Sequence, residues 1–379
     1  MAPGSDWEGL FALKRLSLRT SRRIFVLAIT AVLLVGLTGS ASALSVPHLL
    51  RSGSGDGKFH VVGTQIIGPN GGTFIPRGVN LGGLEWTPKG YNLSKAQFDQ
   101  MKSWGANFVR VALSDVFWLK SMCSYTKNYQ SKVDQVVKWA EQDKLLVLLD
   151  DHHGTQGATC GTDKWATIQK MPDVHNLDFI KQLATRYKSH AYVAFDLYNE
   201  PHNISDAIWR SGGVVDGYRA VGMQPLLDGL RSTGATNLVF ATGNAWGNDL
   251  MMVANQPLSN DHNVVYSAHA YPYQCHGRVI YGEHYVCDGH HYNPDLDTFV
   301  GPIIGKRAVM LAEFGTYRPY ADEIADPIQW AESHHIGWSA WMWCSGKIVN
   351  FCLLQEGSNS APSLIGQPVR DALHRATGK

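Results

Sequence analysis

Two stretches leave apolar runs on an acid. "VAFDLYNEPHN", residues 193–203, ends on Asn199-Glu200-Pro201, and "VMLAEFGTY", residues 309–317, passes Glu313 before Gly315. Either glutamate alone fits a structural role. Two carboxyls facing one pocket can divide labour, one kept protonated and the other ionised. Cleavage of a glycosidic bond needs that division: a proton donor for the leaving oxygen and a carboxylate against the anomeric carbon. Proline after Glu200 ends strand pairing, so the chain turns away with the acid at the strand exit.

The elements that must position these acids follow from hydrophobic periodicity. "FHVVGTQIIGPNGGTFIP" predicts an N-terminal hairpin turning at Asn70-Gly71, residues that tolerate positive φ. Eight strand candidates follow: "FIPRGVN", "NFVRVAL", "LLVLLDD", "YVAFDLYN", "NLVFATG", "VVYSAHAY", "AVMLAEF" and "IGWSAWMW". Helical spacing separates them. Phe98, Met101 and Trp104 share one face behind a Ser94/Gln97 capping-box pattern; Val133, Val136, Val137 and Ala140 form a second stripe, and Ile180, Leu183, Ala184 and Tyr187 a third. Apolar strands alternating with helices imply parallel pairing. Eight such units predict a single-domain α/β fold, a (β/α)₈ TIM barrel over residues 59–379, whose strand carboxyl ends form the functional face. A doubly wound open sheet is the alternative, but no glycine fingerprint follows the first strand. The strand ends collect Asn80, Trp86, Arg110, His152, Asn199, Trp246, His269, Tyr271, Trp341 and Trp343 around the two acids. Arg110, inside an apolar strand, needs an internal anion, and Glu313 can supply it.

Over roughly residues 59–375 these motifs resemble glycoside hydrolase family 5, a barrel family that includes many cellulases. The resemblance implies that Glu200 is the acid/base and Glu313 the nucleophile of a retaining β-glycanase. It further implies that Arg110 supports the nucleophile, that His152 of "LLDDHH" lines the pocket, and that Asn199 holds the sugar 2-hydroxyl. "HAY" at 269–271 resembles the family's H-x-Y, with Tyr271 donating to Glu313 and His269 binding substrate, and Trp341 resembles the tryptophan that floors the sugar site. Neither a metal nor another cofactor is implied. The expected partner is a β-linked polysaccharide or oligosaccharide, with β-1,4-glucan first and mannan or another β-glucan as alternatives. A carbohydrate-binding barrel without catalysis is the more distant reading. His153 and the long insert Pro272–Asp297 depart from the basic pattern on the substrate-reading face, which leaves the glycan open. Trp86, Trp165, Trp209, Trp246 and Tyr273 are candidate sugar platforms, with core packing as the alternative for each.

Composition bounds the rest. The 379 residues are 44% hydrophobic and 17% charged with a net charge of +1, a balance that suits a globular body and offers no basic tract for nucleic acid. Lys14, Arg15, Arg19, Arg22 and Arg23 precede the 16-residue apolar run Ile24–Gly39 and then Ala41-Ser42-Ala43. That is the layout of a secretory signal over residues 1–43, cut after Ala43, and it implies a secreted protein; "SRRIFVL" resembles a twin-arginine export signal. A membrane anchor at 24–39 is the alternative, though the run is short of the roughly 20 residues that span a bilayer. Residues 44–58 form a flexible lead. The six cysteines pair locally as Cys123 with Cys160, Cys275 with Cys287 and Cys344 with Cys352, which predicts disulfides in an exported chain. Cys275, His284, Cys287 and His290 could instead hold a structural zinc. No protein partner is implied, and a monomer is expected.

Overall fold

The computed structural model describes residues 57–91, 93–153, 169–271, 285–287, 292–347 and 350–378, with backbone alone for His153, 285–287 and 292–294. The signal, the possible anchor and most of the lead lie outside the described residues, as do Cys160, Trp165, Tyr273, Cys275, His284, His290 and the side chain of Cys287.

A hairpin opens the fold, formed by β1 (His60–Val62) and β2 (Gln65–Ile67). Its turn is Gly63-Thr64, with Gly63 at φ 62°, and not Asn70-Gly71. Asn70 and Gly71 make a second, smaller turn that closes an Ile67–Thr73 bridge; two positive-φ glycines lay within reach and the nearer one joined the strands. The first barrel units follow: β3 (Arg77–Leu81), α1 (Lys95–Ser103), β4 (Phe108–Ser114), the short α2 (Asp115–Trp118), α3 (Tyr129–Gln142), β5 (Leu146–His153) and α4 (Val174–Tyr187). Next come β6 (Val193–Asp196), α5 (Asp206–Ser211), a second hairpin of β7 (Gly212–Val215) and β8 (Tyr218–Val221), then α6 (Met223–Arg231) and β9 (Val239–Thr242). The remainder is α7 (Met251–Asn255), β10 (Val264–Ala270), a small pair β11 (Tyr285–Cys287) and β12 (Tyr292–Pro294), and α8 (Leu296–Phe299). β13 (Val309–Phe314), α9 (Asp322–Ser333), β14 (Gly337–Ala340) and α10 (Gly366–Thr377) finish the chain. Ser94 occupies the N-cap of α1 without a side-chain cap bond, so the capping box is not formed; α4 carries one instead, between Asp173 and Asn176.

Eight parallel strands close in the order β10-β13-β14-β3-β4-β5-β6-β9. Closure excludes the open-sheet alternative. Strand alternation sorts side chains into two clusters. Phe108, Leu146, Leu148, Ala194, Phe240, Val265 and Met310 fill the barrel interior together with Phe59 and Ile66 of the hairpin region, while Val109, Val111, Val147, Leu149, Phe195 and Val239 face the helices. The predicted stripes of α1, α3 and α4 are all buried in that outer layer. Toward the carboxyl ends, inward positions turn polar: Asn80, Arg110, Asp150, Asp196, Thr242, Ser267 and Ser339, all buried. Among the described residues no helix is long and apolar enough to cross a membrane.

Candidate active site

Arg110 stands at the centre of the polar layer. Its Nε donates to Asp196 Oδ2 at 3.1 Å, Nη1 to Asn80 Oδ1 at 3.1 Å and to Glu313 Oε2, and Nη2 to Asn199 Oδ1 at 2.6 Å, with Asp150 Oδ2 3.0 Å from Nη2. Burial opposes its charge, but Asp150, Glu313 and Asp196 outweigh that and hold its pKa above the ordinary range. Burial pushes the Asp196 carboxyl well up, while the adjacent guanidinium pulls it back. Asp150 also meets His152 Nδ1 at 2.7 Å, whereas the adjacent Asp151 faces outward and accepts from Asn176 at 3.0 Å. The two aspartates therefore point to opposite sides of β5, as alternation requires.

Glu313 reaches this centre through a bulge. β10 pairs Ala268 with Leu311 but His269 with Glu313, and β14 pairs Trp338 with Leu311 but Ala340 with Phe314. β10 thus skips Ala312, and β14 skips one residue between Leu311 and Phe314. Leu311 packs in the outer layer, so strict alternation would send Glu313 outward too; the extra residue turns it into the barrel. Asn80 Nδ2 donates to the Ala312 carbonyl at 3.1 Å, satisfying the bulged backbone. The Tyr271 hydroxyl donates to Glu313 Oε1 at 2.6 Å, so the carboxyl receives one donor on each oxygen.

Glu200 leaves the end of β6 and bonds His269 Nδ1 through Oε1 at 2.9 Å. Burial raises its pKa to about 8 against the pull of Arg110, and burial lowers that of His269 to about 4. Between those values both groups are neutral and the contact is a hydrogen bond, not an ion pair. A carboxylate oxygen of Glu200, one of Glu313 and a ring nitrogen of His269 all lie within 4.8 Å of one another. One neutral acid thus faces a carboxyl held by a cation and a phenol, across a gap the size of a sugar's anomeric centre.

The other expected residues sort themselves around this pair. His152, whose pKa burial lowers to about 3, stacks on Trp341 at 5.2 Å with 10° between planes, and its Nε2 lies 3.5 Å from Asn199 Nδ2. Trp86 is 41% exposed on the loop after β3. Trp246 lies against His202 with ring planes 11° apart, and His202 Nδ1 bonds the Glu200 carbonyl at 2.7 Å, so this tryptophan backs the acid's own loop. Trp209 is buried in the outer core, donating to the Thr242 carbonyl at 2.9 Å, and is not a platform. His269 is buried and its Nδ1 is engaged by Glu200, which makes it a support of that acid.

A profile of cellulase, glycosyl hydrolase family 5, matches residues 68–347. The chain belongs to this family. It is accordingly a glycoside hydrolase. Cellulase CelDZ1 of Thermoanaerobacterium sp is 24% identical over 312 residues, covering 78% of this chain and 74% of that protein. A mannan endo-1,4-beta-mannosidase of Streptomyces lividans is 25% identical over 333 residues, covering 83% and 73%. In three dimensions the catalytic domain of Thermobifida fusca endoglucanase Cel5A superposes with a TM-score of 0.63 at 19% identity, over 84% of this chain and 97% of that domain.

Three further acids lie in or beside this polar layer, and local sequence pattern assigns none of them a role in it. Asp150 and Asp196 face inward, and strand parity with Leu148 and Ala194 was the signal for both. Glu85, buried after β3, accepts from the Gly83 N–H at 2.5 Å, and burial raises its pKa to about 8; no local pattern marked it. Of the cysteines, Cys344 and Cys352 are disulfide-bonded to each other and Cys123 is disulfide-bonded.

Proposed function

We propose that the protein is an exported, retaining endo-β-1,4-glucanase in which Glu200 is the acid/base and Glu313 the nucleophile. The observation that carries the reading is the close approach of the two carboxyls, one of them kept protonated by burial. A separation near 5 Å is that of retaining enzymes, with no room for the water an inverting pair admits. Glu313 attacks the anomeric carbon as the glycosidic C–O bond breaks, and the Glu200 proton passes to the leaving oxygen. Water then adds to the glycosyl-enzyme, its proton goes to Glu200, and the ester bond to Glu313 breaks, which restores both groups and releases a β sugar. Arg110 and Tyr271 hold the nucleophile, Asn199 offers Nδ2 to the 2-hydroxyl, and Trp341 on His152 floors the sugar. Glucan is favoured by the cellulase profile; the mannosidase relative favours mannan as the second substrate. Export rests on the signal layout, cut after Ala43, and on the disulfides. Monomeric action is part of the same reading.

A panel of β-1,4-glucan, mannan and xylan with early NMR of the products tests it. Glucan hydrolysed fastest with β-anomer first is the expected result, and Glu313→Ala loses several powers of ten in rate. Mannan as the preferred polymer would replace the substrate, and α-anomer first would overturn the mechanism.

A further inference from the structure

We infer that Phe351 is a positioning residue for Tyr271 and that the Cys344–Cys352 disulfide keeps it in place. The inference rests on the proposed role of Glu313 and adds how its hydroxyl donor is aimed. Beyond β14 the chain returns on itself: the Met342 N–H donates to the Phe351 carbonyl at 3.0 Å, Leu353 N–H to the Met342 carbonyl at 3.1 Å and Leu354 N–H to the Cys344 carbonyl at 3.0 Å. The disulfide ties this return, with Cα atoms 4.8 Å apart. Phe351, next to Cys352, has φ 60°, a left-handed conformation that a phenylalanine keeps only where its surroundings over-determine it.

That conformation delivers the ring to the site. Phe351 meets Tyr271 edge-to-face at 6.0 Å and 90°, and Tyr317 at 5.9 Å and 74°. At Gly315, two residues past Glu313, a Cβ would lie 2.9 Å from the Trp341 carbonyl, 3.1 Å from Tyr271 Cε1 and 3.2 Å from Phe351 Cδ1. The strand end and both rings are thus in mutual contact without slack, which fixes the Tyr271 ring plane and with it the direction of the hydroxyl that reaches Glu313 at 2.6 Å. Because the disulfide restricts the loop that carries Phe351, its loss releases the ring and lets the tyrosine drift.

Phe351→Gly is the informative variant, since glycine accepts φ near 60° and the side chain is removed without new backbone strain. It is compared with Phe351→Tyr, with Cys344→Ser/Cys352→Ser, and with Tyr271→Phe alone and combined with Phe351→Gly. The readouts are kcat and KM, thermal unfolding, and the rate at which a 2-deoxy-2-fluoro-glycoside bearing a dinitrophenyl leaving group labels Glu313. Phe351→Gly and the serine pair should lower kcat and the labelling rate about 10- to 100-fold with KM little changed, Phe351→Tyr should restore both, and Phe351→Gly should add less than about twofold once Tyr271 is phenylalanine. Full kcat in Phe351→Gly, or an undiminished effect in the Tyr271→Phe background, overturns the inference while leaving Glu313 as nucleophile. Full kcat in the serine pair overturns the part assigned to the disulfide. A parent enzyme that is not labelled at Glu313 removes the underlying reading, and this inference with it.

Discussion

Arg110, fully buried, faces Asp150, Asp196 and Glu313, and the site's electrostatics follow from one cation meeting three acidic side chains. Removing the cation leaves buried carboxylates uncompensated, so Arg110→Met should lower stability by about 3–5 kcal/mol in urea unfolding, with hydrolysis lost alongside. With Glu200 as the proposed acid/base, its titration sets the alkaline side of activity. Its proton is needed for the leaving group and departs as pH rises through about 8, so kcat/KM should fall there, and Glu200→Gln should abolish that limb along with most activity on unactivated glycans. The same shift acts on folding. A carboxyl raised from 4.5 to about 8 keeps a proton that the unfolded chain releases, so its contribution to stability is full below pH 4.5 and is lost as pH rises toward 8. Thermal unfolding across that window should therefore show the parent losing ground against Glu200→Gln; equal slopes would remove burial as the cause of the shift.

At the level of elements, strand ends and the turns behind them aim the acids. The turn after β9 holds three consecutive left-handed residues, Ala245, Trp246 and Gly247, at φ 53°, 62° and 79°. This compact reversal lays Trp246 on His202 and brings Gly247 under His269, where a Cβ would sit 2.8 Å from Cγ of the imidazole. Gly247→Ala combines a disfavoured φ with a clash against the partner of Glu200. It should cost more than about 1 kcal/mol of stability and shift the alkaline limb of the pH profile, because the acid's neighbour is displaced. A pH profile identical to the parent's would show that the turn supports the fold alone.

The whole molecule separates stability from chemistry along the barrel axis. At the amino-terminal end Phe59 is buried, edge-on to Phe74 at 4.7 Å and to Tyr192 at 5.3 Å, in the apolar cluster that plugs the interior. The polar layer and both acids lie at the other end. Phe59→Ala should lower stability by about 3–5 kcal/mol while kcat at 25 °C stays near that of the parent. A matching fall in kcat would mean that the two ends are coupled.

The sequence alone determined the class of fold, since apolar runs and helical stripes are local patterns, and it placed Glu200, Glu313, Arg110 and Tyr271 at strand positions sharing one mouth. Three features were decided only by neighbours in space. The bulge at Ala312 turns Glu313 inward against simple alternation, and it exists because β10 and β14 both pair around it. Glu200's raised pKa comes from burial by the closed barrel, which no stretch of eleven residues encodes. Phe351 reaches Tyr271 from some eighty positions along the chain, where edge-to-face packing and a disulfide, not periodicity, set the contact. Local pattern fixes which face a residue can take; register, burial and long-range packing choose the charge and direction it has there.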